Sequence, residues 1–131
     1  MPGVRRAPYP RKGMVGRKGV VDFSHTMNIG ATGAISSQDA DSGVSASRVS
    51  AGLYTLTFPA AYKKIVDWSV GITGTGAAGT AATWELASNN LTAGTKAGTI
   101  QILGRRTDTM VAADVPNPTV MTVFFSVEEG V

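Results

Sequence analysis

Three short stretches of this chain place side chains at spacings that chemistry uses. Asp22, Ser24 and His25, the last being the sole histidine, supply the residue types of a Ser-His-Asp hydrolase. There an imidazole takes the serine proton while a separate carboxylate orients the ring, beside an oxyanion hole. Neighbours in sequence seldom reach that geometry, so no catalytic role is expected of them and no enzyme is expected of the chain. Gly74-x-Gly76-x-x-Gly79 matches the glycine pattern that lets a backbone approach a pyrophosphate at a helix N-terminus. It sits mid-chain without a surrounding βαβ pattern, and Thr95-Lys-Ala-Gly98 stands where an acidic ribose ligand belongs. The expectation is a flexible connection and no cofactor.

Asp39-x-Asp41-x-Gly43 opens like a calcium loop, but Gly43 occupies a ligand position and Ala51-Gly52 lies near the place of the closing glutamate. A polar turn and no metal are expected. Glu128-Glu129 reads as a solvated end rather than an acid–base pair. Asn90-Leu-Thr92 fits a glycosylation acceptor, which matters only in a secretory pathway that nothing here indicates. With no cysteine, disulfide and thiolate chemistry are both excluded.

Charge is the one signal that survives this weighing. Of twelve Lys and Arg, six fall in residues 1–18 with no acid among them: Arg5, Arg6, Arg11, Lys12, Arg17 and Lys18. The rest of the chain sets six bases against nine acids, so a segment of +6 is joined to a body of −3. Residues 1–19 hold three prolines and four glycines, a composition that cannot bury enough apolar surface to offset backbone ordering. We therefore expect a flexible basic arm over 1–19, followed by a single domain over 20–131. The arm, with Tyr9 among its bases, reads foremost as a protein-docking extension. Phosphate contact with nucleic acid comes second, and an inert solubilising tail third. No apolar run approaches the ~18 residues of a membrane helix, the basic start lacks the apolar centre of a secretory signal, and Pro2 follows Met1, so no membrane helix, secretory signal or myristoylation is expected.

The body must be built of strands. Ala, Gly, Thr, Val and Ser dominate it, and they favour strands and turns over helices. In Gly52 to Thr73, Tyr54, Leu56 and Phe58 alternate with Leu53, Thr55 and Thr57. After a corner at Pro59–Lys64, Val66, Trp68, Val70 and Ile72 alternate with Asp67, Ser69, Gly71 and Thr73. Trp68 is accordingly expected in the core. Val20–Ile29 has apolar character without clean periodicity, with Phe23 and Ile29 as tethers for the arm. Short strands are expected at Ala34–Ser36 and Val44–Ala46, others at Thr80–Ser88 and Gly98–Gly104, with a turn at Asn89-Asn90 and an edge element at Met110–Ala113. In Val120–Val127, Met121, Val123, Phe125 and Val127 face one way, and Val120, Thr122, Phe124 and Ser126 the other. Roughly six to eight strands at this spacing predict an all-β fold, an antiparallel β-sandwich or small barrel.

Ala51-Gly-Leu-Tyr-Thr-Leu-Thr-Phe58, a Tyr-containing corner, a hydrophobic strand, a Gly/Ala/Thr-rich middle and a closing strand resemble small virion proteins of tailed phages. The resemblance covers Gly52 to the end. It implies a structural role in the virion, such as capsid decoration or cementing, with the major capsid protein or other virion proteins as partners. A head-tail adaptor or head-fibre base is the alternative within that class. Outside it stands a small nucleic-acid-binding β-barrel using the basic arm. Val120 and Phe124 interrupt an otherwise polar face of the last strand, so self-association is expected there, by pairing of an apolar edge. The resemblance favours a trimer, because decoration proteins commonly sit at threefold positions.

Overall fold

The computed structural model describes residues 19–74, 80–81, 83–91, 97–116 and 119–129. The strands are β1 (Val20–Ile29), β2 (Ile35–Gln38), β3 (Ser45–Ser50), β4 (Leu53–Thr57), β5 (Lys64–Gly74), β6 (Thr83–Asn90), β7 (Thr99–Arg105) and β8 (Thr119–Glu128). They form a β-sandwich of two four-stranded antiparallel sheets, ordered β2-β1-β8-β5 and β3-β4-β7-β6.

The alternation of β4 and β8 becomes the two walls of the core. Tyr54, Leu56, Ile100 and Ile102 fill it from the second sheet, and Met121, Val123, Phe125 and Val127 from the first, all fully buried. Removing such side chains from water stabilises the fold by about 1.5–3 kcal/mol each. At one end the rings of Phe23, Phe58, Tyr62 and Phe125 meet edge to face, with centroids 5.3–6.1 Å apart. The corner after β4 is irregular, as expected, and holds Tyr62 inward through Tyr62 N–H donating to Leu91 O at 3.1 Å.

Three expectations are corrected. First, Val20–Ile29 is one continuous ten-residue strand with strict alternation, in which Phe23, His25, Met27 and Ile29 are buried. The period was hidden because a histidine takes an inward position, and Phe23 and Ile29 belong to the core rather than tethering an arm. Second, β5 does not keep one phase. Ile65 lies opposite Val127, Asp67 opposite Ser126 and Trp68 opposite Phe125, so Val66 is an extra residue between them. This bulge makes Ile65, not Val66, the core-facing residue before Trp68. Trp68 itself packs on the core, stacked on Phe125 at 6.4 Å and 14°, but on an outer strand it is only partly covered. Third, β8 is not an edge. It lies between β1 and β5, with a partner on each side along its whole length. Smaller adjustments follow the same logic: Asn89 and Asn90 stay inside β6, and Met110–Ala113 contributes only a bridge between Ala112 and Arg105.

The four outer strands share a feature. Ser36 in β2, Val66 in β5, Val49 in β3 and Ala87 in β6 are each an extra residue with no opposite partner. A bulge breaks the row of backbone donors and acceptors that another chain would need to extend the sheet. The sandwich is thus blunted at all of its edges, and its flat faces are what it offers to a neighbour.

Candidate functional site

His25 is the first residue to settle, because a buried histidine is a standard suspect for catalysis. Its Nε2 lies 2.8 Å from Gln38 Oε1 and its Nδ1 2.6 Å from Ser42 Oγ. The Gln38 amide is oriented by Ala46, whose N–H donates to Oε1 at 2.8 Å and whose carbonyl accepts from Nε2–H at 3.0 Å. Because Oε1 can only accept, the imidazole donates from Nε2. Ser42 Oγ in turn accepts from Val44 N–H at 3.1 Å. His25 therefore clasps the β2–β3 connection to β1. Ser24 points to the opposite face of the same strand, exposed, and Asp22 accepts instead from Ser126 Oγ, so the three residues form no hydrolytic set. The Asp39–Gly43 stretch is an exposed loop in which Asp41 N–H donates to Asp39 Oδ1 at 2.9 Å. Among the described residues no three His, Asp or Glu side chains converge to hold a metal. Residues 75–79 of the glycine motif lie outside the described residues, as does Thr92.

A second polar cluster closes the end of the sandwich near the β3–β4 turn. The carboxylate of Asp114 accepts from Arg48 Nη2 at 3.0 Å and from Gly52 N–H at 3.0 Å. Beside it the buried Tyr54 hydroxyl donates to Gly33 O at 2.6 Å. Burial, and then the charge of Asp114, push the Tyr54 phenol up to about 12, with Arg48 opposing. Gly52 sits at φ +71°, and a Cβ there would stand 2.6 Å from Gly104 O and closer still to Ala113 O. This cluster ties loops of both sheets together and leaves no open site.

The surface that remains is organised by charge. The three described bases on the second sheet's side are each paired: Arg48 with Asp114, Arg105 with Glu85, and Arg106 with Asp108. The first sheet and its connections carry Asp22, Asp39, Asp41, Asp67, Glu128 and Glu129 against Lys63 and Lys64, a net of −4. Only Lys63–Glu128, at 3.9 Å, pairs charges there among the described residues. Counted over strands alone, the first sheet is −2, with Asp22, Asp67 and Glu128 against Lys64, and the second +1, with Arg48 and Arg105 against Glu85, while Asp39 and Asp41 lie on the connection between the two.

The outer face of that sheet runs in rows fixed by the register of β1, β8 and β5. At one end Val20 and Lys64 flank Glu128, and Asp22 and Asp67 then flank Ser126. Next, Ser24 and Ser69 flank Phe124; then Thr26 and Gly71 flank Thr122, with Thr26 Oγ1 and Thr122 Oγ1 at 3.2 Å; then Asn28 and Thr73 flank Val120. No charge occurs in the last three rows. Val120 is exposed and Phe124 half-buried, with nothing larger than serine beside its ring across the strands. Val120 and Phe124 thus lie mid-sheet on an open face rather than along an edge. The arm residues Arg5, Arg6, Tyr9, Arg11, Lys12, Arg17 and Lys18 lie outside the described residues. The partition of acids between the sheets was not visible in the sequence, because it depends on which strands become neighbours.

Among the described residues no helix is long and apolar enough to cross a membrane. Of known proteins, no family model, no curated protein and no solved structure matches the chain.

Proposed function

We propose that this protein is a structural component of a phage virion that decorates or cements the capsid through protein–protein contacts, residues 1–18 docking on neighbouring subunits. The observation that carries the reading is the division of charge within one small chain: +6 on residues 1–18, and a body whose surplus acid is gathered on one sheet. Such a chain can contact its neighbours through two chemically distinct parts. Exposed apolar side chains on both sides of the sandwich, Val120 on one and Val49, Met110 and Val111 on the other, support contacts with more than one partner. Association of copies through the face carrying Val120 and Phe124, in a trimer, belongs to the same reading.

The aromatic residues favour protein over nucleic acid as the partner. Single-strand binders stack bases on surface aromatics set among bases of the side-chain kind. Here Phe23, Tyr54, Phe58, Tyr62 and Phe125 are in the core, and the described bases other than Lys64 are paired with acids.

The mechanism is linkage. A chain that binds the assembled shell and not free subunits stabilises the shell by RT ln(1 + [L]/Kd), about 2.7 kcal/mol per site at a hundredfold excess over Kd. The test is co-sedimentation of the purified chain with assembled capsids of its phage, with double-stranded DNA in parallel. Saturable binding to shells, with a raised shell disruption temperature, is expected. Binding to DNA alone, or to neither, would overturn the proposal.

A further inference from the structure

We propose that the outer face of the β2-β1-β8-β5 sheet is the seat of residues 1–18 donated by a neighbouring copy of the chain. The inference rests on the reading above, in which that segment docks on neighbouring subunits, and it names the acceptor surface. The face is flat and open, and its edges are bulged, so a partner must lie across it rather than extend it. Its floor of Ser, Thr, Gly and Asn has two apolar points, Phe124 and Val120, and across β1, β8 and β5 its charged rows lie at one end, Asp22 with Asp67 and then Glu128 with Lys64.

The sequence of residues 1–18 matches that layout. Basic pairs at Arg5-Arg6, Arg11-Lys12 and Arg17-Lys18 alternate with uncharged stretches, and Tyr9 stands two residues before Arg11. On the face, Phe124 stands two residues along β8 from the row of Asp22 and Asp67, a separation of roughly 6.6 Å at ~3.3 Å per residue. A chain crossing the face with Arg11-Lys12 on the carboxylates brings Tyr9 over Phe124, one aromatic ring on the other. The second sheet offers no such complement, since its acids are already paired with Arg48, Arg105 and Arg106.

Reach is sufficient for donation between copies. The segment is joined to the sheet at Gly19, whose carbonyl accepts from Glu129 N–H at 2.7 Å beside the acidic end. Its eighteen residues span up to ~60 Å when extended, about twice the ~33 Å of a ten-residue strand.

The test uses the full chain. Isotope-labelled and unlabelled protein are mixed, treated with a carbodiimide that joins lysine amines to carboxylates at contact distance, digested and read by mass spectrometry. Lys12 or Lys18 should be joined to Asp22, Asp67 or Glu128 in peptides that combine the two isotopes. The yield at Glu128 should fall several-fold in Asp22→Asn/Asp67→Asn, where each amide keeps one oxygen to accept from Ser126 Oγ and Trp68 N–H, and at about 0.5 M salt, where charges beyond a few ångströms are screened. Coupling to Glu85, Asp108 or Asp114 instead, coupling within one isotope only, or none at all, would overturn the proposal. Shell binding that persists while these cross-links are absent sinks this acceptor surface alone, whereas cross-links without shell binding sink the virion role alone.

Discussion

Tyr54→Phe removes a single oxygen from the interior, and its effect should depend on pH in a direction the structure dictates. Near neutral pH the variant loses the 2.6 Å hydrogen bond to Gly33 O and leaves that buried carbonyl without its phenol donor. An unmade buried hydrogen bond costs about 1–3 kcal/mol. The phenol is held protonated in the folded chain to about pH 12, against 10.0 for the free side chain. A folded pKa raised above the unfolded one means that the stabilisation is fully present below pH 10 and is lost as pH rises toward 12. Two units at about 1.36 kcal/mol each give at most ~2.7 kcal/mol. The Arg48 and Asp114 side chains are partly exposed, so about 2 kcal/mol is expected. Phenylalanine has no proton to lose. The wild type should therefore be the more stable at about pH 8, and the gap between the two proteins should shrink or close by about pH 11.5.

Urea denaturation followed by the fluorescence of Trp68 and Trp84 measures both proteins at each pH. Tyr62, raised by burial and then by Glu129, and the other titratable groups add their own pH dependence. They are common to both chains, so the difference isolates Tyr54. A stability gap that stays constant across that pH range would refute the link between this phenol, its burial and Asp114.

Trp68→Ala should cost about 2–3 kcal/mol in urea denaturation, below the ~3–5 of a fully enclosed aromatic, because the ring is covered by Phe125 on one side and only partly on the other. A loss above ~4 would mean that β5 is enclosed by something further. Phe124→Asp places a charge on the open face, so circular dichroism and the melting temperature should hold to within a few degrees while light scattering shows loss of self-association. Unfolding of this variant would put Phe124 in the core. Gly52→Ala should destabilise by at least about 2 kcal/mol, since φ +71° is strained for alanine and the Cβ meets Gly104 O and Ala113 O; a melting temperature unchanged from wild type would contradict the turn geometry.

Where local pattern and tertiary role coincide, the sequence is enough. Tyr54, Leu56, Ile100, Ile102 and the inward residues of Val120–Val127 alternate cleanly and are all in the core. The failures have three physical causes. A polar residue at an inward position erases a period, as His25 did for β1, although Gln38 and Ser42 satisfy it completely. An added residue shifts a period, as Val66 did for β5, and nothing in its type announces a bulge. The position of β8 was misjudged for a third reason. An apolar residue on a polar face marks an exposed surface, but whether that surface is an edge or a face depends on strand order, which no local pattern encodes. Candidate contact residues Val120 and Phe124 were therefore legible as residues and not as a place.

Blunted edges and a divided charge together constrain how this chain can assemble. Bulges at Ser36, Val49, Val66 and Ala87 interrupt every outer strand, so sheet-to-sheet extension between copies would have to begin from broken ladders. Face-to-face packing of the first sheet on its own copy brings like charge together, because its strands carry a net −2. The repulsion is confined to one end when two copies meet through the uncharged rows around Phe124 and Val120. It is relieved altogether when a basic segment lies between them. In the proposed arrangement the +6 of residues 1–18 meets the acid of a neighbour, so assembly should be sensitive to salt in a way that a purely apolar contact would not be. Measured self-association that strengthens as salt is raised would mean that the apolar rows act alone.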